Sequence, residues 1–400
     1  MYLLILFLLI GCAKHGTVLP YEYKEAVNWL SLIKNDEDIL SKYQSKVITA
    51  MARDGYYEES FDLASKINDY RRPLAYTIIG LESQKKGLLN ISKKALCSAE
   101  NALGYGVGWQ RDEGTLAALE LAFRLDDKGK SETLINGFTS DEYRTRAKNL
   151  ILLFEVKNSG NLNLQSSGPK DDKILSNGNV AESHSSTETL GKTNIQDILS
   201  HFEQALADGE KDQAKLCLDA ARKRITTEPS IDRVHHRIAL CRLDFEAGNV
   251  VEAKKAVPII EAELSAISAY AEFKYQWIIE FASVMDGIGY KQESDELIKK
   301  SIDCIIANFQ PFVKTRLLNQ IATASSRLGV SDCAAKCWEV ALNTAEQNPN
   351  PRSRVIGVID YLVSHAEAHC SVSLEVQDQL RSIKKEINPS YKKLPGFQGN

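Results

Sequence analysis

The strongest constraint on the fold is the recurrence of glycine at the turns between paired helical segments. The turn glycines are Gly55, Gly87, Gly209, Gly248, Gly289 and Gly329, and the last four lie 39, 41 and 40 residues apart. Between them, apolar residues recur at i, i+3, i+4 and i+7, which is typical of amphipathic helices. One such stripe comprises Val355, Val358, Ile359, Leu362 and Ala366. No segment alternates as a half-buried strand does, so the sequence predicts an all-α fold of helix pairs.

Small residues recur at fixed distances from these glycines. A large residue and then a small one precede the turn at Ile79-Gly80, Leu240-Cys241, Phe281-Ala282 and Ile321-Ala322, with Leu121-Ala122 before a looser turn at 127–129. Small residues follow the glycine by five positions at Ser60, Ser92, Ala214, Ala253, Ser294 and Ala334, and by twelve at Ala99, Ala221, Ser301 and Ala341. Small side chains let the two helices of a pair approach closely. Prolines at 73, 229, 311 and 349 are expected to end the second helix of a pair.

This pattern resembles the tetratricopeptide (TPR) repeat over most of residues 40 to 388. The resemblance implies a TPR-like helical-hairpin solenoid, in which the first helices of successive pairs line a concave groove. The chain departs from the family in its period near 40, in lacking most of the signature Trp and Tyr residues, and in placing Pro258 inside an expected second helix. HEAT-like helix pairs are an alternative at this repeat length.

Composition divides the chain into two predicted helical modules, residues 21–156 and 196–388. The intervening residues 157–195 are dominated by Ser, Asn, Gly and Thr and contain no aromatic residue. Such a segment buries too little apolar surface to offset its ordering entropy, so a disordered linker is expected there. Residues 389–400 are expected to form a flexible tail.

The N-terminus resembles a bacterial lipoprotein signal peptide at residues 1–11, followed by lipid attachment at Cys12. An apolar run from Tyr2 to Gly11 leads into Leu9-Ile10-Gly11-Cys12, which has the form of a lipobox, although no Lys or Arg precedes the run. Ten apolar residues span only about 15 Å as a helix, too short to cross a bilayer. Attachment to the cell envelope is therefore expected, with the outer membrane or periplasmic face favoured over the cytoplasm. The alternative is a hydrophobic strand or buried helix that happens to end in Gly-Cys.

Charge and motifs argue against several classes of function. The formal net charge is −4 with no basic block, which argues against nucleic acid as a partner. No nucleophile or phosphate-binding motif occurs in its required context, so no enzymatic activity and no cofactor are expected. Seven cysteines besides Cys12 have irregular spacing and indicate neither a disulfide framework nor a zinc site. His365 and His369 lie one helical turn apart without a third ligand, and the adjacent His235 and His236 cannot chelate one ion together.

Turn offsets place a set of polar residues on the predicted groove. They are His235, Arg242, Glu246, Gln276, Ser283, Asp286, Arg316, Asn319, Thr323 and Arg327. Their mixed polarity favours recognition of proteins or peptides, with membrane contact through the N-terminal lipid only. Two alternatives stay open: a helical-toroid enzyme or enzyme subunit acting on an envelope polysaccharide or small molecule, and a purely structural envelope spacer.

Overall fold

A computed structural model describes residues 18–159 and 209–387, together with positions 195, 198, 199, 202, 205 and 206. The expectations for residues 1–11, for Cys12, for positions 160–194 of the predicted linker and for the tail 389–400 lie outside the described residues. The chain divides into two compact units: Met1–Asn158 with Ala341–Asn400, and Ser159–Val340.

Helices alone make up the regular secondary structure of the described residues, as the sequence predicts. In the first unit these are α1 (Tyr21–Leu30), α2 (Glu37–Asp54), α3 (Tyr57–Ala64), α4 (Arg71–Lys85), α5 (Leu89–Ala102), α6 (Trp109–Arg124), α7 (Lys128–Ile135) and α8 (Asp141–Ser159). The chain continues with α9 (Lys211–Ile225), α10 (Ser230–Glu246), α11 (Val250–Ala266), α12 (Glu272–Gly287), α13 (Lys291–Asn308), α14 (Pro311–Arg327) and α15 (Ser331–Glu346). The last two helices, α16 (Pro351–Glu367) and α17 (Leu374–Ile387), return to the first unit.

Successive helices form hairpins, and the first helices of neighbouring hairpins lie side by side. In the first unit α4 packs against both α2 and α6, while in the second unit α12 packs against both α10 and α14. Each first helix also packs on its own second helix, as in α4 with α5 and α10 with α11. This is the arrangement of a helical repeat protein, in which each hairpin buries its apolar face against its neighbours.

The turn glycines adopt the left-handed conformation that the repeat requires. All six predicted positions have positive φ, between 71° and 95°. The turns share one hydrogen-bond pattern, since the N–H after the glycine donates to the carbonyl five residues earlier, as from Asn249 to Asp244, Tyr290 to Met285 and Val330 to Ser325. This is the Schellman closure of a helix C-terminus.

The small residues predicted at the hairpin interfaces are buried. Ala99, Ala221, Ala253 and Ala341 are fully inaccessible. A Cβ added to Gly80 would lie 2.2 Å from a Leu121 methyl carbon, so α4 and α6 approach closely at this point.

In three of the described hairpins a small polar side chain hydrogen bonds across the interface, and one of these bonds joins the Ser83 and Ser92 hydroxyls at 2.8 Å. The Cys241 thiol donates to the Ala253 carbonyl at 3.4 Å, and the Ser294 hydroxyl donates to the Ala282 carbonyl at 2.9 Å.

The prolines act at helix beginnings. Of the four predicted prolines, Pro73 lies in the first turn of α4, Pro229 is the N-cap of α10 and Pro311 is the first residue of α14. Pro349 lies between α15 and α16, just before Pro351 at the first position of α16. The expectation that proline ends the second helix is therefore corrected for Pro73, Pro229 and Pro311, which lie at the beginning of first helices. Proline is tolerated there because the N–H groups of the first turn have no intrahelical acceptor. Pro258 lies inside α11, which continues through it.

The unit boundaries differ from the predicted modules at the C-terminus. The sequence predicts that residues 341–388 belong to the second module, whereas in the structure α16 packs against α1 and α2. The buried Glu22 carboxylate accepts the Val372 N–H at 2.9 Å, and Lys46 Nζ lies 2.6 Å from the buried Asp360 carboxylate. The apolar face of α1, which includes Tyr23 and Trp29, is buried within this unit.

Candidate functional site

The predicted groove residues of the second unit lie on three neighbouring first helices. His235, Gln276 and Arg316 occupy corresponding places on α10, α12 and α14, four or five residues after each helix begins. Gln276 is exposed, and His235 and Arg316 are half-buried. Because α12 packs beside both α10 and α14, this surface, here called the first-helix face, spans three hairpins.

An aromatic stack orients the imidazole of His235. Its ring lies nearly parallel to the indole of Trp277 on α12, with 5.4 Å between centroids and 9° between planes. Its Nε2 is 4.0 Å from a Glu280 carboxylate oxygen, also on α12. The neighbouring His236 turns inward and is buried, and burial lowers the pKa of its imidazole. The two histidines thus face different surroundings.

Ion pairs fix the helices on either side of this stack. Arg316 on α14 pairs with Glu272 at the start of α12. On α10, Arg233 and Arg237 both pair with Glu263 of α11, at 3.3 and 3.2 Å. The first pair ties α14 to α12 and the other two tie α10 to its own second helix α11, while α10 and α12 are joined by direct helix packing.

An exposed apolar residue stands at the second position of each of these helices. The side chains are Ile231 on α10, Phe273 on α12 and Phe312 on α14, with exposures of 51%, 38% and 37%. Each precedes a polar or aromatic residue of the face, namely His235, Trp277 and Arg316, by four positions and therefore lies on the same side of its helix. Sequence reasoning missed this row because it searched for polar groups; the signal was an apolar residue just inside each first helix.

The remaining predicted groove residues have mixed positions. Arg242, Glu246, Ser283 and Arg327 are exposed, and Asp286 is half-buried. Arg242 and Glu246 lie one turn apart on α10 with 3.8 Å between charged atoms. Asn319 and Thr323 on α14, by contrast, are 3% and 7% exposed, so they do not belong to an open surface.

The histidines near the C-terminus are separated by their environments. His365 is buried in α16, whereas His369 stands in the left-handed turn after that helix with Nδ1 3.8 Å from an Asp54 carboxylate oxygen. Among the described residues, no cluster of three or more His, Cys, Asp or Glu side chains has a geometry able to hold a metal ion. No described helix combines the length and apolar character needed to cross a membrane.

Comparison with known proteins leaves the family open. No protein-family model matches the chain, and no curated protein sequence matches it. A solved structure described as "Circular tandem repeat protein with novel repeat topology and enhanced subunit contact surfaces" aligns with 93% of this chain and 97% of its own, at 10% identity and a TM-score of 0.28.

The first-helix face combines the chemistry of a binding surface. It presents apolar side chains at one end of three helices and hydrogen-bonding and charged groups one turn further along. A carboxylate, an imidazole and a guanidinium occur on it, but each is engaged by a neighbour: Glu272 with Arg316, and His235 with Trp277. Such a surface is suited to contact with a polypeptide, since apolar anchors supply affinity and fixed polar groups supply specificity.

Proposed function

We propose that this protein is a binding scaffold anchored to the cell envelope by lipid on Cys12, and that it recognises a segment of a protein partner along the first-helix face. The observation that carries the binding proposal is the exposed apolar residue in the first turn of each of α10, α12 and α14. Adjacent packed helices lie about 8 to 10 Å apart, which is the length of about three residues of extended chain. A partner segment crossing the helices would meet an equivalent anchor on each.

The hairpins themselves are proposed to be divergent tetratricopeptide units. The support is the shared register of turn glycine, of small residues five and twelve positions later, and of a buried large-small pair in the first helix. In this register, proline at the start of a first helix marks the boundary between one repeat unit and the next.

Site-specific photocrosslinking tests the binding face. A photoreactive phenylalanine analogue replaces Gln276 on the face or, as the control, the exposed Lys300 on the second helix α13. We expect a discrete protein adduct from position 276 and none from 300. Phe273→Ala should abolish the adduct by removing the central apolar anchor, while Val251→Ala, which truncates an exposed apolar residue on α11, should leave it unchanged. Equal adducts from both positions would contradict the assignment.

Lipid attachment is tested separately. Growth with an alkyne palmitate analogue should label the wild-type protein and leave Cys12→Ser unlabelled, because the cysteine sulfur is the group that carries the diacylglyceryl chain. Cys97→Ser, which removes an exposed thiol from the first unit, is the control and should label normally. Equal labelling of Cys12→Ser would exclude anchoring at this residue without affecting the binding face.

A further inference from the structure

The first unit carries a second exposed apolar feature, a loop between α5 and α6 in which glycine alternates with large side chains. This aromatic–glycine loop spans Leu103–Trp109 and reads Leu-Gly-Tyr-Gly-Val-Gly-Trp. Tyr105, Val107 and Trp109 are 45%, 76% and 59% exposed. Three large side chains left in solvent within five residues form a local apolar patch, and such patches mark interaction sites.

The loop has a defined backbone conformation. Two of its three glycines are required by geometry, because a Cβ on Gly106 would lie 2.9 Å from the Arg111 nitrogen, and Gly108 has φ of 55° with ψ of −129°. The Gly106 N–H donates to the Leu103 carbonyl at 3.3 Å. This tight connection between a short 3-10 helix and the start of α6 holds Val107 and Trp109 outward.

Cationic and aromatic side chains surround the exposed tip. The Arg72 guanidinium lies 4.5 Å from the Tyr105 ring centroid, and Trp109 contacts Tyr70 edge-on at 5.5 Å. Arg111, which is exposed on the first turn of α6, adds a second positive charge.

Two nearby carboxylates have local partners. Asp69 pairs with Arg71, and the buried Asp112 accepts the N–H groups of Thr139 and Ser140. Asp38 also pairs with Arg71, so the cations that stand beside the exposed tip are Arg72, over the Tyr105 ring, and the exposed Arg111.

Trp and Tyr side chains are concentrated where a bilayer meets water, because each ring combines an apolar body with a polar edge. Arg side chains beside them can bind lipid phosphates. We propose that the aromatic–glycine loop docks on an anionic lipid surface, with Val107 and Trp109 entering the headgroup region and Arg72 and Arg111 meeting lipid phosphates. Exposed apolar side chains on a short loop suit insertion between lipid headgroups. The loop adds a second membrane contact to the lipid proposed at Cys12, and it does not depend on that lipid.

Vesicle binding of the unlipidated protein tests this directly. The chain from Ala13 onward, which keeps every described residue, is floated with vesicles of phosphatidylethanolamine and phosphatidylglycerol. Trp fluorescence is followed in parallel with lipids brominated on the acyl chain. We expect the protein to float with the vesicles and the brominated lipids to quench its Trp fluorescence. The double variant Val107→Ser/Trp109→Ser should reduce partition about tenfold or more, as loss of two buried apolar side chains predicts.

Two further variants test the charge dependence of vesicle binding and its specificity for the loop. Arg72→Gln/Arg111→Gln should abolish the preference for these vesicles over neutral phosphatidylcholine vesicles. Val251→Ser, at an exposed apolar residue of the second unit, should change nothing, and circular dichroism melting should show that all variants fold. Absence of flotation by the wild-type chain, or equal flotation by the loop variant, overturns the proposal. If the loop variant floated as well as the wild type and a photoreactive phenylalanine analogue at position 107 gave a discrete protein adduct, the loop would be a protein-docking site instead.

Discussion

Burial gives the His365 imidazole a direct influence on stability. The residue is 7% exposed on α16, with its ring 4.5 Å from the Tyr361 ring centroid. Burial lowers the pKa of this imidazole to about 4, against about 6.5 for an accessible histidine. The folded protein therefore holds the neutral ring, while the unfolded chain takes up a proton below pH 6.5. The stability that this group confers is present above pH 6.5 and is lost as pH falls toward 4.

We predict that the free energy of unfolding decreases between pH 6.5 and 4, with His365 contributing up to about 3 kcal/mol of the decrease. His365→Phe, which has similar volume and no titrating group, should flatten this part of the profile. His236→Phe, at the other buried imidazole whose pKa burial lowers, should also reduce the slope. Urea denaturation at a series of pH values measures all three, and identical slopes for wild type and His365→Phe would contradict the burial argument.

At the scale of helices and turns, the sequence pattern agrees with the structure wherever the pattern recurs from one hairpin to the next. The turn glycines and small interface residues follow from sequence because each is dictated within one hairpin by backbone sterics and helix approach. The same register extends to turns that lack glycine, at Asp126 and His369, which have φ of 53° and 54°. His369 lies 40 residues after Gly329, so it continues the interval of the turn glycines.

His369→Gly should stabilise the protein by about 1 kcal/mol, because glycine adopts positive φ without the steric cost borne by a side chain with a Cβ. The 3.8 Å contact with Asp54 is a small loss, since the His369 side chain is 73% exposed. Gly329→Ala is the matched reverse change, and its added Cβ would meet nothing within 4 Å, so only backbone strain opposes it. Thermal unfolding should move up for the first variant and down for the second; movement in the same direction would contradict the shared turn geometry.

A second element-scale prediction separates the hairpin interface from the first-helix face. Ala341 is fully buried, so Ala341→Phe should force the helices apart and cost about 1 to 3 kcal/mol or more. Ala334→Phe, at 1% exposure, should behave alike. Arg316→Ala removes a partly exposed ion pair and should change stability by only about 0.5 kcal/mol while weakening partner binding. Denaturation midpoints compare the three, and an Arg316→Ala loss as large as that of Ala341→Phe would show that the proposed face is structural.

At the scale of the whole molecule, contacts between residues that are far apart in the sequence limit how much of the structure the sequence can predict. Nothing in the local pattern of α1 indicates that Glu22 accepts an N–H from Val372, 350 residues later. Composition placed one boundary near residue 158, where a polar segment interrupts the helices, and missed the second at 340/341 because the repeat pattern runs through it without a break. The apolar row on α10, α12 and α14 was missed for a related reason, since a single exposed residue per helix becomes a surface only when the helices are side by side.

The division of the helices between the two compact units predicts which helices are destabilised by a core substitution. Leu362 on α16 is fully buried in the first unit, and Ile298 on α13 is fully buried in the second. Leu362→Ala should cost about 2 to 5 kcal/mol and Ile298→Ala a similar amount, through lost burial and the cavity left behind.

Hydrogen exchange measured along the chain distinguishes the two variants, because each compact unit is expected to open as its own cooperative body. Leu362→Ala should accelerate amide exchange in α1 and α2, more than 300 residues away in sequence, and leave α10–α13 close to wild type. Ile298→Ala should give the opposite pattern. If Leu362→Ala instead accelerated exchange in α10–α13 and spared α1 and α2, residues 341–388 would belong energetically with the second module, as composition alone predicted, and the packing of α16 on α1 would not govern stability.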